Sequence, residues 1–204
     1  MRGFQYRIVS VDASEFGQLV SLGEEAFAAW GGRREERERA YAKFLTANPH
    51  CFYLMTPLGT TRDPVGFSCV FPVTRDAFRQ LRLGLIGTWE LSVEQISSAT
   101  DDGIPCICIN ALYLRKQYRQ IFPELPLRLL FKHLAEFIKP GGPYPILFAE
   151  GLTRRGVRFL QRSGFETYHR SRDGYPIFEM DLSRTTTMSD PAQMFKVYFE
   201  ANVS

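Results

Sequence analysis

Apolar positions along the chain follow two periods, a two-residue alternation or short continuous run and a three-to-four-residue recurrence. Tyr6-Arg7-Ile8-Val9 predicts a first strand, with Asp12 or Ser14 set to cap the helix that follows. Phe16, Leu19, Val20, Gly23, Phe27 and Trp30 recur at helical spacing, so an amphipathic helix is expected over 14–30, closed by Gly31-Gly32. The run 33–39 is charged throughout and leads into Ala40, Tyr41, Phe44 and Leu45, a second helix whose apolar stripe comes late and which Asn48-Pro49 breaks. Residues 51–55 and 65–73 read as strands joined through the turn-rich stretch 57–64, an antiparallel hairpin. Residues 75–104 are less regular. Phe78, Leu81 and Leu85 predict a helical turn or two and Asp101-Asp102-Gly103 a loop, so an insertion-like connection that shapes or covers a cleft is expected.

Residues 107–114 form a nearly continuous apolar run, suited to the middle of a sheet. Leu127, Leu130, Phe131, Leu134 and Phe137 or Ile138 give a helix over 125–138, stopped by the Pro- and Gly-rich 139–143. Residues 144–149 predict a strand, 153–163 a short helix, and 164–168 a strand; Asp173-Gly174 then turns the chain into a last strand over 177–182. The order β-α-α-β-β-(insert)-β-α-β-α-β-β predicts an α/β (α+β) fold: a mixed, mostly antiparallel twisted sheet of six or seven strands with helices on both faces. One domain over 1–183 is expected, followed by a polar tail over 184–204 whose Met194, Phe195, Val197, Tyr198 and Phe199 are set to dock on the body or on a partner.

Composition narrows this only at a few points. The 204 residues suffice for one good-sized core, and 45% hydrophobic with 23% charged residues is an ordinary globular balance. A net charge of +3 does not suit a dedicated nucleic-acid binder. No apolar run is long enough for a membrane span, Met1-Arg2-Gly3-Phe4 is unlike a signal peptide, and a cytoplasmic location is expected. Cys51, Cys69, Cys106 and Cys108 fit no disulfide framework. Cys106 and Cys108 share a strand face, but Ile104, Ile107 and Ile109 around them mark small core hydrophobes, and no zinc spacing or other metal site is expected. His133 is expected near the core stripe of its helix yet solvated, and no Ser-His-acid constellation stands out. Basic residues cluster as Arg115, Lys116, Arg119, Arg128 and Lys132, and again as Arg154, Arg155, Arg158, Arg162, Arg170 and Arg172. Such groups serve an anionic ligand or a solvated helix face.

Two segments carry a resemblance to a known family. Leu112-Tyr113-Leu114, followed by Tyr118-Arg119, and the later Thr153, Gly156, Phe159, Leu160 and Gly164-Phe165 fall at the spacing of the two signature segments of the GCN5-related N-acetyltransferase (GNAT) superfamily. Over residues 5–182 the chain resembles that family, and the resemblance implies the acyl-CoA N-acyltransferase fold. It also implies acetyl-CoA or another acyl-CoA as co-substrate, with acyl transfer to the amine of a small-molecule or protein acceptor. In the family the strand edge pairs with the pantetheine arm, and loop amides with a helix N-terminus hold the pyrophosphate. Here the alternate loop glycines are replaced by Gln120, Phe122 and Glu124, and Pro123 removes an amide, so the pyrophosphate loop is degenerate.

The resemblance implies Leu112, Tyr113, Leu114, Arg115, Arg119, Gln120, Arg128 and Thr153 as cofactor-binding residues, with Arg115, Lys116, Arg119 and Arg128 able to grip phosphates directly. The family's acidic tyrosine is Leu160 here, which does no acid chemistry. Glu150 and Glu90 are the candidates to take the amine's proton, and Tyr113 or Tyr118 to donate one. An acyl carrier protein is an alternative donor, a homodimer is compatible with the sequence, and a binding or regulatory module without catalysis is the competing reading.

Overall fold

Seven strands and six helices follow one another in the computed structural model, which describes residues 5–28, 33–59, 63–97, 106–138, 143–184 and 197. They are β1 Tyr6–Ser10, α1 Phe16–Ala26, α2 Arg34–Ala47, β2 Phe52–Pro57, β3 Gly66–Val73, α3 Arg75–Arg82, β4 Cys106–Leu114, α4 Lys116–Ile121, α5 Leu125–Leu134, β5 Ile146–Glu150, α6 Arg154–Arg162, β6 Glu166–Arg170 and β7 Pro176–Asp181. The expected helix end at Trp30–Gly32, the 101–103 loop, most of the 139–143 stop and the docking tail, Val197 excepted, lie outside the described residues.

One sheet runs β1-β2-β3-β4-β5-β7-β6. Every neighbouring pair is antiparallel except β4 and β5, which are parallel and joined through α4 and α5. The mixed, mostly antiparallel sheet with helices on both faces is therefore as the element order predicts. β3 is buried at all eight positions, as a central strand covered on both faces must be.

On one face α1, α2 and the 75–97 connection pack over Phe52, Phe67, Phe71, Cys108 and Phe148. Tyr41 and Phe44 of α2 set their rings 4.8 and 5.1 Å from Phe52 and Phe71, offset contacts that add to simple burial. On the other face α5 and α6 cover Val70, Ile107, Ile109, Leu147 and Phe178. The four cysteines are buried and free, as expected of small core hydrophobes, and burial pushes each thiol's pKa up.

The 75–97 connection is more ordered than its sequence suggests. Thr74 caps α3 by accepting the Ala77 amide, two short 3-10 turns follow, and Trp89 packs against Phe27, Tyr41 and Phe44. Arg82 ties it to the far end of the sheet, bonding Glu179 at 2.6 Å and lying 3.9 Å over the Tyr168 ring. Gly84 allows the close approach: its φ is +67°, and a Cβ there would meet the Arg170 carbonyl at 2.8 Å. Leu85 departs from expectation, since it lies beyond α3 and is 61% exposed.

His133 also departs from expectation. It is fully buried, because Ser68 and the His50 carbonyl offer its two ring nitrogens partners at 2.7 Å each and Tyr53 stacks on it at 4.4 Å. The carbonyl accepts only, so Nε2 carries the hydrogen, and Nδ1 accepts from the Ser68 hydroxyl. The satisfied neutral ring explains a polar residue on a core stripe. Burial pushes its pKa down to about 3. The folded state thus refuses a proton that the unfolded chain accepts below the ordinary value of 6.5, and stability present at neutral pH is lost as pH falls from 6.5 towards 3. In denaturant unfolding, wild type should lose up to about 1.4 kcal/mol per pH unit more than His133→Phe across that window. Parallel slopes for the two proteins would refute this.

Candidate active site

The parallel pairing of β4 with β5 lasts only from Cys106↔Ile146 to Ile109↔Ala149. Beyond it β4 continues to Leu114 beside β3, while Glu150 and Gly151 stay with β7 through Ile177 and the Pro176 carbonyl. The two strands part where the β3–β4 register shifts: Cys69 faces Ala111 and Val70 faces Ile109, so Asn110 is an extra residue in β4. A bulge of this kind sharpens the local twist and ends pairing on the far side. Residues 110–114 therefore present to the β5 side a backbone edge that β5 does not pair.

Asn110 was not among the sequence candidates. It is 9% exposed; its Nδ2 lies 3.6 Å from the Cys69 sulfur, and its Oδ1 is buried without a partner among the described residues. The available signal was a lone amide inside the apolar run Cys106–Leu114. A polar side chain there incurs a desolvation penalty unless it is partnered.

Glu150 ends β5 at the start of the split. It is half-buried, and desolvation raises its carboxyl pKa, assisted by the charge of Asp173 and opposed by a hydrogen bond from Ser171. A carboxylate with raised proton affinity beside an opening suits a proton acceptor. Glu90 is placed differently. Its carboxylate accepts the Gly87 amide at 2.7 Å and Arg172 at 3.0 Å, contacts that lower its pKa. It therefore pins the 88–90 turn to the β6–β7 hairpin, and the geometry does not support its expected role as a base.

Tyr113 lies on the same sheet face as Glu150, next to Phe67. Burial, then the charge and hydrogen bond of Glu25 in α1, push its phenol up to about 12. Arg115 reaches the same carboxylate at 2.9 Å. Glu25 thus engages two of the expected residues, and Tyr113 is a weak acid in this state. Tyr118 packs with Leu114, Leu125 and Phe122.

The basic turn after β4 is itself a short helix, α4, with Arg119 in its last turn and Gln120 exposed near its end. Leu112 and Leu114 point their side chains into the core, so only their backbone faces the split. Thr153 caps α6 by accepting the Gly156 amide at 2.9 Å, and Leu160 is core. Arg128 is elsewhere: it reaches the Tyr6 hydroxyl at 3.3 Å, on the β1 side of α5. Its expected place beside the β4 loop is corrected, because successive residues along a helix face different directions however close they are in sequence.

Searches by sequence find no matching family model and no matching curated protein. Solved structures do match. The NatC complex bound to Gag peptide and CoA is 12% identical, with 86% of this chain and 96% of that chain covered and a TM-score of 0.57. A GNAT-family acetyltransferase from Staphylococcus aureus is 10% identical, covering 86% and 98%, with a TM-score of 0.56. Arabidopsis thaliana Naa50 in complex with the bisubstrate analogue CoA-Ac-MVNAL is 15% identical, covering 86% and 96%, with a TM-score of 0.51. The chain has the GNAT acyl-CoA N-acyltransferase fold. No helix among the described residues is long and apolar enough to cross a membrane.

Removing the Glu25 charge should release Tyr113. In Glu25→Gln the phenol should titrate below about 12 yet stay above its ordinary value of 10.0, because burial, the largest cause, remains. Ultraviolet difference titration against Tyr113→Phe reads this directly, and an unchanged midpoint would refute the coupling.

Proposed function

We propose that this protein transfers an acyl group from a pantetheine thioester of the acyl-CoA kind to the amine of a small-molecule or protein acceptor. The carrying observation is the end of β4–β5 pairing at Ile109 and Ala149, beside the Asn110 bulge and Glu150 with its raised proton affinity. The GNAT fold and the CoA-containing ligands of NatC and Naa50 support the same reading, and the peptide bound to NatC makes a polypeptide amine one acceptor class.

The open edge at 110–114 matches an extended amide-bearing arm, which pairs with it as a further strand. An amide of that edge beside the bulge polarises the thioester carbonyl, and the scaffold holds amine and carbonyl in reach. As the C–N bond forms and the C–S bond breaks, Glu150 takes the amine's proton and the departing thiolate is protonated from solvent. Neither Leu160 nor Tyr113, tied to Glu25, supplies that proton.

The competing reading, a binding or regulatory module without turnover, draws on the same Leu160 and on the altered loop after α4. Release of free thiol from acetyl-CoA and longer acyl donors, measured with a panel of amines and peptides, separates the two. Glu150→Gln should lower kcat about a hundredfold with donor KM little changed. It should also abolish the acid limb of the rate profile, which wild type should show above the ordinary carboxylate range. Unaltered kcat and pH profile in the variant would remove Glu150 from the mechanism.

A further inference from the structure

The region around the start of α5 does not fit a diphosphate. A helix start holds phosphates through free amides, and few remain here. Pro123 and Pro126 have none. The Phe122 amide is taken by the Tyr118 carbonyl at 2.8 Å and that of Leu125 by the Phe122 carbonyl at 3.2 Å. From 122 to 127 this leaves at most Glu124 and Leu127. Glu124 is also the N-cap residue of α5, so the helix start carries a negative charge of the chain's own, which opposes a bound anion. The β4 edge still matches a pantetheine arm, and what the stretch 122–127 lacks is an amide cradle for the diphosphate of a nucleotide end.

The surface of α4 and α5 is basic. Lys116, Arg119, Arg128 and Lys132 face two acids, Glu124 and Glu136, and Glu136 is engaged by the Tyr53 hydroxyl. Lys116, Arg128 and Lys132 are exposed. Beside α5 a groove of about 260 Å³ runs between Tyr6, Ile8, Arg128, Phe131 and Lys132, so cations line a shallow, partly apolar channel along β1. A single phosphate needs few amides, but an acidic protein surface complements a strip of this kind.

We propose that the acyl donor is a phosphopantetheine thioester carried on an acidic carrier protein that docks along α4 and α5, with the arm reaching the β4 edge. This rests on the acyl-transfer reading above and narrows its donor. The arm brings one phosphate instead of a nucleotide diphosphate, and the carrier's acids supply the contacts that loop amides supply elsewhere.

Binding to the full-length protein tests this without knowing the acceptor. The probes are coenzyme A, free phosphopantetheine and a purified holo acyl carrier protein, each titrated calorimetrically at low and high salt. The expected result is carrier binding that weakens with salt and falls at least about tenfold in Lys116→Glu/Lys132→Glu, with coenzyme A no tighter than phosphopantetheine. Replacing Pro123 and Glu124 by Gly and Pro126 by Ala should tighten coenzyme A about tenfold and leave phosphopantetheine unchanged. Wild type preferring coenzyme A tenfold over phosphopantetheine overturns the inference and leaves acyl transfer standing. No binding of any pantetheine probe overturns both. Carrier binding untouched by the charge reversal, or weaker than retention of duplex DNA or anionic vesicles by the same face, overturns the docking surface.

Discussion

Four backbone pairs between β4 and β5 join the two halves of the sheet. Everything else in the sheet is antiparallel and folds back on a near neighbour: β1 to β4 on one side, β5, β7 and β6 on the other. The junction survives because it is buried on both faces, by Cys108 and Phe148 towards α1 and α2, and by Ile107 and Leu147 towards α5 and α6. Backbone bonds in such surroundings have no water to exchange with, so their loss is expensive. The split beyond Ile109 follows from the bulge, since one extra residue re-aims the rest of β4. Glu150 stands beside the split because β5 ends where the pairing ends.

Much of this was legible in the chain. Apolar runs with β-branched and aromatic residues identified the strands, and one helical pattern between two strands, flanked by hairpins, implied the mixed sheet. What sequence could not supply was direction. Arg115 and Arg128 look like members of one cluster, yet one pairs with Glu25 across the sheet face and the other leans over β1. Glu90 and Glu150 look equivalent as acids, yet hydrogen bonds hold one charged and burial favours protonation of the other. His133 looked solvated because its partners, Ser68 and the His50 carbonyl, are more than sixty residues away. The bulge left no mark beyond the amide of Asn110, because register is a property of two strands together.

The 75–97 connection shows how a weakly periodic stretch can still be structural. Its order comes from a few long-range contacts: Trp89 on the α2 aromatics, Lys43 on the Trp89 carbonyl, Arg82 on Glu179 and Arg172 on Glu90. None leaves a helical or strand period. Together they bring the hairpin tip, with Ser171 and Asp173, up to Glu150, so the electrostatics of that carboxylate depend on a segment that looked like an insertion.

Unpaired strand edges normally lie at the rim of a sheet, where they invite pairing with other chains and need charges, prolines or bulges to discourage it. The edge at 110–114 lies in mid-sheet, between β4 and the flank of β5. The edge is flanked by paired strands on both sides, so it is not part of the sheet's rim. The fold thereby keeps a sticky surface permanently available without the aggregation hazard that an outer edge carries. Its position also fixes the approach: whatever pairs there enters from the end of the sheet where β4 and β5 part, with Glu150 at the entrance.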